Sequence, residues 1–103
     1  MKIEFDPAKS AKNERDRGLP FAVALRLFDK PRLEWEDKRK NYGEERINTL
    51  GDIEGRIFFA TFTRRGEAIR IISFRKANTR EAKRFREHLR RRGTGGEDRL
   101  EQG

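Results

Sequence analysis

Cysteine is absent from the 103 residues. That excludes a disulfide framework, a thiolate nucleophile and a thiolate metal site. Histidine occurs once, at His88, so neither a histidine metal pair nor a serine-centred triad stands out. The residues Asp6, Asp16, Asp29, Asp37 and Asp52 are scattered without ligand spacing. No glycine-rich phosphate loop is present: Gly51-Asp52-Ile53-Glu54-Gly55 lacks the required lysine and reads as a turn. No apolar run is long enough to span a bilayer, and the N-terminus lacks an apolar signal segment. The expected location is the cytoplasm. No cofactor or metal is expected.

Apolar residues make up only 33% of the chain and charged residues 43%, with a mean hydropathy of −1.07. Such a balance leans towards disorder. The apolar residues are clustered, however, at Phe21–Phe28, Ile57–Phe62 and Ile69–Phe74, and clusters of this kind can form one core. A single domain over residues 1–92 is expected, followed by a glycine-rich, acidic, flexible tail over 93–103.

Abundant positive charge is what the chain does possess. Its 26 basic and 18 acidic residues give a net charge of +8, which favours a polyanionic partner, nucleic acid or an acidic protein. Ile3 and Phe5 suggest a short edge strand. Asp6-Pro7 suggests a helix start, and Gly18 a left-handed stop. Phe21, Leu25 and Phe28 recur at i, i+4 and i+7, predicting an amphipathic helix that buries those three. Strands are expected at Arg32–Glu36 and Glu44–Asp52, with a polar loop between them. The strongest strands are Arg56–Thr63 and Glu67–Arg75, joined by a turn at Arg64-Arg65-Gly66. Asn78 or Thr79 would cap a final helix with Ala82, Phe85 and Leu89 on one face. The predicted fold is α+β: a small antiparallel sheet with two N-terminal helices and one C-terminal helix packed on it.

Between Arg75 and Arg92 there are nine basic and two acidic side chains. Helix formation alone does not require this, since like charges at i, i+4 are mildly unfavourable. One chemistry open to such a chain is metal-free RNA cleavage. The ribose 2′-hydroxyl supplies the nucleophile, and guanidinium forks match the charge growing on the phosphate. Arg64 and Arg65 in the hairpin turn, Arg70 and Arg75 on the strand, and Lys76 and Arg80 at the junction are the candidate cations. Lys83 and Arg84 extend this surface along the helix. Arg70 would need a carboxylate such as Glu45, either as a structural ion pair or as an anchor of the site. Glu44, Glu45 or an arginine network could serve as base. Tyr42 in the loop, and Trp35 if not in the core, could stack on a base.

Several pieces together resemble one family. They are Phe5-Asp6-Pro7 with Lys9 and Asn13; Gly18 with Phe21 and Ala24; Gly43-Glu44-Glu45-Arg46 with Gly51; and Arg70-Ile71-Ile72-Ser73-Phe74-Arg75-Lys76-Ala77 with Glu81. This pattern, over roughly Ile3 to Leu89, is similar to BrnT, the toxin half of a bacterial type II toxin–antitoxin pair. The resemblance implies a RelE-like fold and a metal-independent endoribonuclease that inhibits translation. It implies neutralisation by a DNA-binding antitoxin of BrnA type in a two-plus-two complex. It also marks Glu45, Arg46, Arg70, Arg75 and Lys76 as the positions matching the family motif. Three positions depart from the family pattern: Arg17 replaces a histidine, Phe74 an alanine and Phe85 a tyrosine. The competing readings are a non-catalytic nucleic-acid-binding module and a pure antitoxin-binding protein.

Overall fold

A computed structural model describes residues 1–95. The chain forms β1 (Lys2–Glu4), α1 (Pro7–Arg17), a 3-10 helix (Phe21–Asp29), β2 (Leu33–Glu36), β3 (Ile47–Ile53), β4 (Arg56–Arg65), β5 (Ala68–Lys76) and α2 (Thr79–Gly95). This is a mixed α+β fold. Its five strands lie in the order β1-β5-β4-β3-β2. Helix α2 runs to Gly95, inside the segment expected as a tail; residues 96–103 of that expected tail lie outside the described residues.

The sheet is not wholly antiparallel, contrary to the sequence expectation. β2, β3, β4 and β5 are antiparallel neighbours, but β1 runs parallel to β5. Parallel neighbours require a long crossover, and here everything from α1 to β4 lies between the two. Ile3 pairs with Ile69, so the parallel register lets both side chains join the same core.

Turn chemistry fixes the hairpins. Glu54 and Gly55 both have positive φ, 52° and 87°, the pattern of a type I′ turn, which matches strand twist. The Asp52 carboxylate accepts the Gly55 N–H at 2.8 Å. The second turn is Gly66-Glu67, with Gly66 at φ 59°. The expected turn at Arg64-Arg65-Gly66 is thus displaced. Arg64 and Arg65 belong to β4, because a two-residue turn closed by the glycine lets the ladder run on to Arg65–Ala68. β3 likewise starts at Ile47, leaving Glu44, Glu45 and Arg46 in the preceding loop.

Each face of the sheet has its own core. Ile47, Phe58, Phe62, Ile69, Ile71 and Phe74 lie under the 3-10 helix; Leu50, Ile57 and Phe59 meet Phe85, Ala82 and Leu89 of α2. The residues expected to bury an α-helix at Phe21, Leu25 and Phe28 do so differently. Phe21, Ala24 and Leu27 are the buried ones, an i, i+3, i+6 row. A 3-10 helix eclipses side chains every third residue, and Pro20 and Pro31 limit helix at either end. Phe28 is only half-buried and meets Phe62 edge-on, with ring centres 5.1 Å apart. Gly51 permits the close approach of Leu27: a Cβ there would lie 2.9 Å from the Leu27 Cδ2.

Helix α1 is held by polar contacts instead of an apolar stripe, as its sequence suggests. Asp6 caps it by accepting the Ala8 N–H, and Gly18 ends it at φ 72°. Buried Ser10 accepts the Phe21 N–H through its hydroxyl at 2.9 Å. The Asn13 amide donates to the carbonyls of Leu19 and Phe74, at 2.8 and 2.9 Å.

Leu27 is fully buried, so Leu27→Ala is expected to cost about 2–5 kcal/mol in urea denaturation. Thr49 is also fully buried, and its hydroxyl has no hydrogen-bond partner among the described residues. Thr49→Val is expected to raise stability by about 1 kcal/mol, since it removes a desolvated hydroxyl at nearly constant shape; a lower melting midpoint would count against this.

Candidate nucleic-acid interface

Alternation along the strands brings two ladders of side chains to the face that carries α2. One runs Leu33, Leu50, Phe59, Arg75 across four strands; the next runs Trp35, Asn48, Thr61, Ser73. Thr63 and Arg70 form a third row. Helix α2 packs over the first row, through Phe85 and Leu89. The third row is polar, and so is the second apart from Trp35, but Asn48, Thr61 and Thr63 are buried, so exposed Ser73 and half-buried Arg70 are what these rows present to solvent. Thr61 donates its hydroxyl to the Asn48 side chain at 2.8 Å, and Thr63 donates to the Glu45 carbonyl at 2.7 Å. Polar residues on a sheet face beside a helix are not required by packing, and they make this face the candidate site.

The expected cluster of Arg70, Arg75 and Lys76 does not form. Arg75 and Arg70 share this face but lie two rows apart, about 13 Å along the strand at the usual rise. Lys76 pairs with Phe58, whose side chain is in the opposite core, so Lys76 projects from the other face. Arg75 and Lys76 part by the ordinary alternation of neighbours on a strand, whereas Arg70 shares the Arg75 face because of a bulge. Thr61 faces Ser73 but Phe62 faces Ile71, so Ile72 is an extra residue that resets the alternation of β5. Arg70 approaches Glu4 of β1 at 3.9 Å, not Glu45 as the sequence suggested. β1 pairing puts Glu4 directly beside it.

At the α2 end, Arg75 is fixed from three sides. Its guanidinium donates to both Glu81 oxygens at 2.9 Å, one nitrogen also reaches the Lys76 carbonyl, and the group lies 4.2 Å over the Phe59 ring. Glu81 in turn accepts the Asn78 N–H, while the Asn78 side chain accepts the Glu81 N–H. This is a reciprocal capping box. The Arg75 guanidinium, then the Asn78 N–H, hold the Glu81 carboxyl below its usual range despite partial burial.

At the other end, the 37–46 loop is built on Asp37. This buried carboxylate takes both guanidinium nitrogens of Arg39 at 2.9 and 2.8 Å and the Tyr42 hydroxyl at 3.2 Å. Its backbone N–H donates to the Arg46 carbonyl. The Arg39 hydrogen bonds push the Asp37 carboxyl far down, so its charge is permanent at neutral pH. Tyr42 was expected to offer a bare ring to a base. Instead Arg46 lies 4.2 Å over it and Lys40 5.3 Å. Trp35 is similarly covered by Arg84 at 4.5 Å and meets Phe59 edge-on. Glu45 is exposed, Arg65 is within 3.9 Å of Glu44, and Arg64 lies over Phe62 on the far face. Arg80 and Lys83 are exposed on α2. His88 is half-buried, and desolvation with neighbouring arginines lowers its pKa, so it is neutral at pH 7.

Sequence reasoning missed Asp37, Asn48, Thr61 and Ser73. Alternation in β3 and β4 was visible, but the register that aligns those residues was not. A group of three or more His, Asp or Glu that could hold a metal is absent among the described residues. No described helix is long and apolar enough to cross a membrane.

The Glu81 carboxyl has a lowered folded-state pKa, so its stabilisation is present above the unfolded value, near 4.5, and is lost as pH falls through the folded value. Glu81→Gln retains a cap acceptor but not the ion pair. It is expected to cost about 1 kcal/mol at neutral pH, a figure reduced for partial exposure. Denaturation curves of the two proteins should converge once the pH is below both carboxyl values; a constant gap would contradict the ion-pair account.

Comparison with known proteins places these residues in context. The family model described as the ribonuclease toxin BrnT of type II toxin–antitoxin systems matches residues 5–81. That span begins just after β1 and contains the other four strands, the Asp37 loop and the Glu81 cap. No curated protein matches the chain. With three quarters of its length inside one family model, the chain belongs to the BrnT family of ribonuclease toxins.

Proposed function

We propose that the chain is a metal-independent endoribonuclease toxin that cuts RNA across the polar rows of the sheet and thereby inhibits translation in the cytoplasm. A RelE-like arrangement of sheet and helices would present this face to the RNA. Its cognate antitoxin would be of BrnA type, in a two-plus-two complex. The single observation that supports this most is the shared face of Arg75, Ser73, Thr61 and Arg70.

In the proposed reaction the ribose 2′-oxygen bonds to the adjacent phosphorus and the bond from phosphorus to the 5′-oxygen breaks. A base removes the 2′-hydroxyl proton, and the departing 5′-oxygen gains one. The products are a 2′,3′-cyclic phosphate and a 5′-hydroxyl. Arg70, with Arg46 at the adjacent loop, would meet the negative charge that grows on the non-bridging oxygens. Glu45 would be the base: its backbone is pinned by Thr63, whose pair partner is Arg70, and its carboxylate is exposed. Arg75 would hold a neighbouring phosphate through its Nε–H and remaining Nη2–H, the donors that Glu81 and the Lys76 carbonyl leave open. Arg65, Arg80, Lys83 and Arg84 would guide the flanking strand. Tyr42 would keep Arg46 in place. Lys76, on the opposite face, has no role in this scheme.

The test is cleavage of single-stranded RNA in excess EDTA. Cleavage is expected to persist. Arg70→Ala is expected to lower the rate by about 10²–10³-fold, with the circular dichroism spectrum unchanged. Arg75→Ala should mainly weaken RNA binding and reduce its salt dependence by about one unit of slope. Intact RNA with steep salt-dependent binding would instead establish the non-catalytic reading.

A further inference from the structure

β1 pairs with β5 only at Ala68–Arg70. From Ile71 to Lys76 the outer edge of β5 has no strand beside it among the described residues. A cleft of about 580 Å³ lies there, between that edge and α1. Ile72, Ser73 and Phe74 line one side, and Lys9, Lys12 and Arg17 the other. Two features leave main-chain groups facing the cleft. Ile72 is the bulge residue, outside the ladder to β4. The Phe74 carbonyl also points outward, but the Asn13 amide of α1 already holds it at 2.9 Å, so an incoming strand would have to pair on either side of that bond.

We infer that this edge docks an acidic, extended segment of the partner protein, which adds a strand alongside residues 71–76. An edge with open N–H and C=O groups is a template for another chain. A polypeptide strand satisfies both kinds of group, whereas a phosphate backbone accepts but cannot donate and would face the edge carbonyls unfavourably. Charge selects the partner's composition. Lys9, Lys12 and Arg17 line the cleft, and its acidic lining residue, Asp16, is already paired with Lys12. Carboxylates on the incoming strand would meet a positive wall.

Arg75 and Ser73 line this cleft as well as the candidate RNA face. A strand seated on the edge therefore abuts one end of the proposed RNA path, which offers a route to neutralisation without covering the whole sheet. The inference rests on the toxin–antitoxin reading for the existence of a partner, but the surface itself does not depend on RNA cleavage.

The test uses the full chain with the protein encoded by the adjoining reading frame. Hydrogen exchange at residues 71–76 is expected to slow by at least about tenfold in the complex. Lys9→Glu combined with Lys12→Glu should weaken the complex by roughly 10–100-fold and leave RNA cleavage unchanged. Unchanged exchange at this edge, unchanged affinity of the double variant, or no complex at all would overturn the inference. So would a single-stranded RNA oligonucleotide that protects the edge when the partner protein does not. A chain that leaves RNA intact yet shows partner-dependent protection would retain the docking edge and lose the ribonuclease reading.

Discussion

One carboxylate joins the two halves of the candidate interface. Glu81 closes the capping box of α2 and grips Arg75 at the end of β5. Helix start and strand end are therefore set by the same two oxygens. Because α2 packs over the first row and its Arg84 also covers Trp35 of the second, its placement decides how much of this face a ligand can reach. A shift of the cap would move Arg75 and the helix together. Ala77, whose N–H donates to the Ile57 carbonyl at 3.0 Å, holds the intervening link against β4, so the junction has little freedom.

A second constraint is the disposal of positive charge. The chain has an excess of eight cations, yet several are engaged by aromatic rings: Arg75 on Phe59, Arg84 on Trp35, Arg46 on Tyr42, Arg32 on Phe28. A guanidinium over a ring gains about 0.5–2 kcal/mol depending on desolvation, and it keeps its charge. These arginines thus cover apolar surface that a small domain cannot bury, and three of the four are also paired with a carboxylate: Arg75 with Glu81, Arg46 with Glu44 and Arg32 with Glu34. Dual use of this kind explains how 33% apolar residues suffice for cores on both faces.

Much of the fold was legible in the sequence. The Asp6-Pro7 start, the Gly18 stop and the Glu54-Gly55 turn follow from backbone chemistry that needs no tertiary context. The strands were visible for the same reason: β-branched and aromatic residues alternate between turn signals. Three features were not legible. The parallel pairing of β1 depends on a partner 66 residues away by register, Lys2 with Ala68. The 3-10 form of Phe21–Asp29 is a tertiary outcome, since the Phe21, Leu25, Phe28 row and the Phe21, Ala24, Leu27 row are both apolar and the sequence does not choose between them. The bulge at Ile72 left no mark beyond a second consecutive isoleucine, yet it moves Arg70 from the face of Lys76 to that of Arg75. The sequence placed Arg70 and Arg75 on the last strand, where the structure has them, but grouped them with Lys76 as a single cluster, which the strand register breaks up.

The pairing of β1 with β5 has a consequence for synthesis. Ribosomes release the N-terminus first, so Lys2–Glu4 emerges long before the strand that receives it. Contacts of such sequence separation form late and slowly. Until β5 leaves the exit tunnel, Ile3 lacks its strand partner, and Arg70 and Arg75 are not yet free to take their places. A protein built in this order cannot complete its sheet, or the cationic face that β5 carries, until Ala68–Lys76 has emerged.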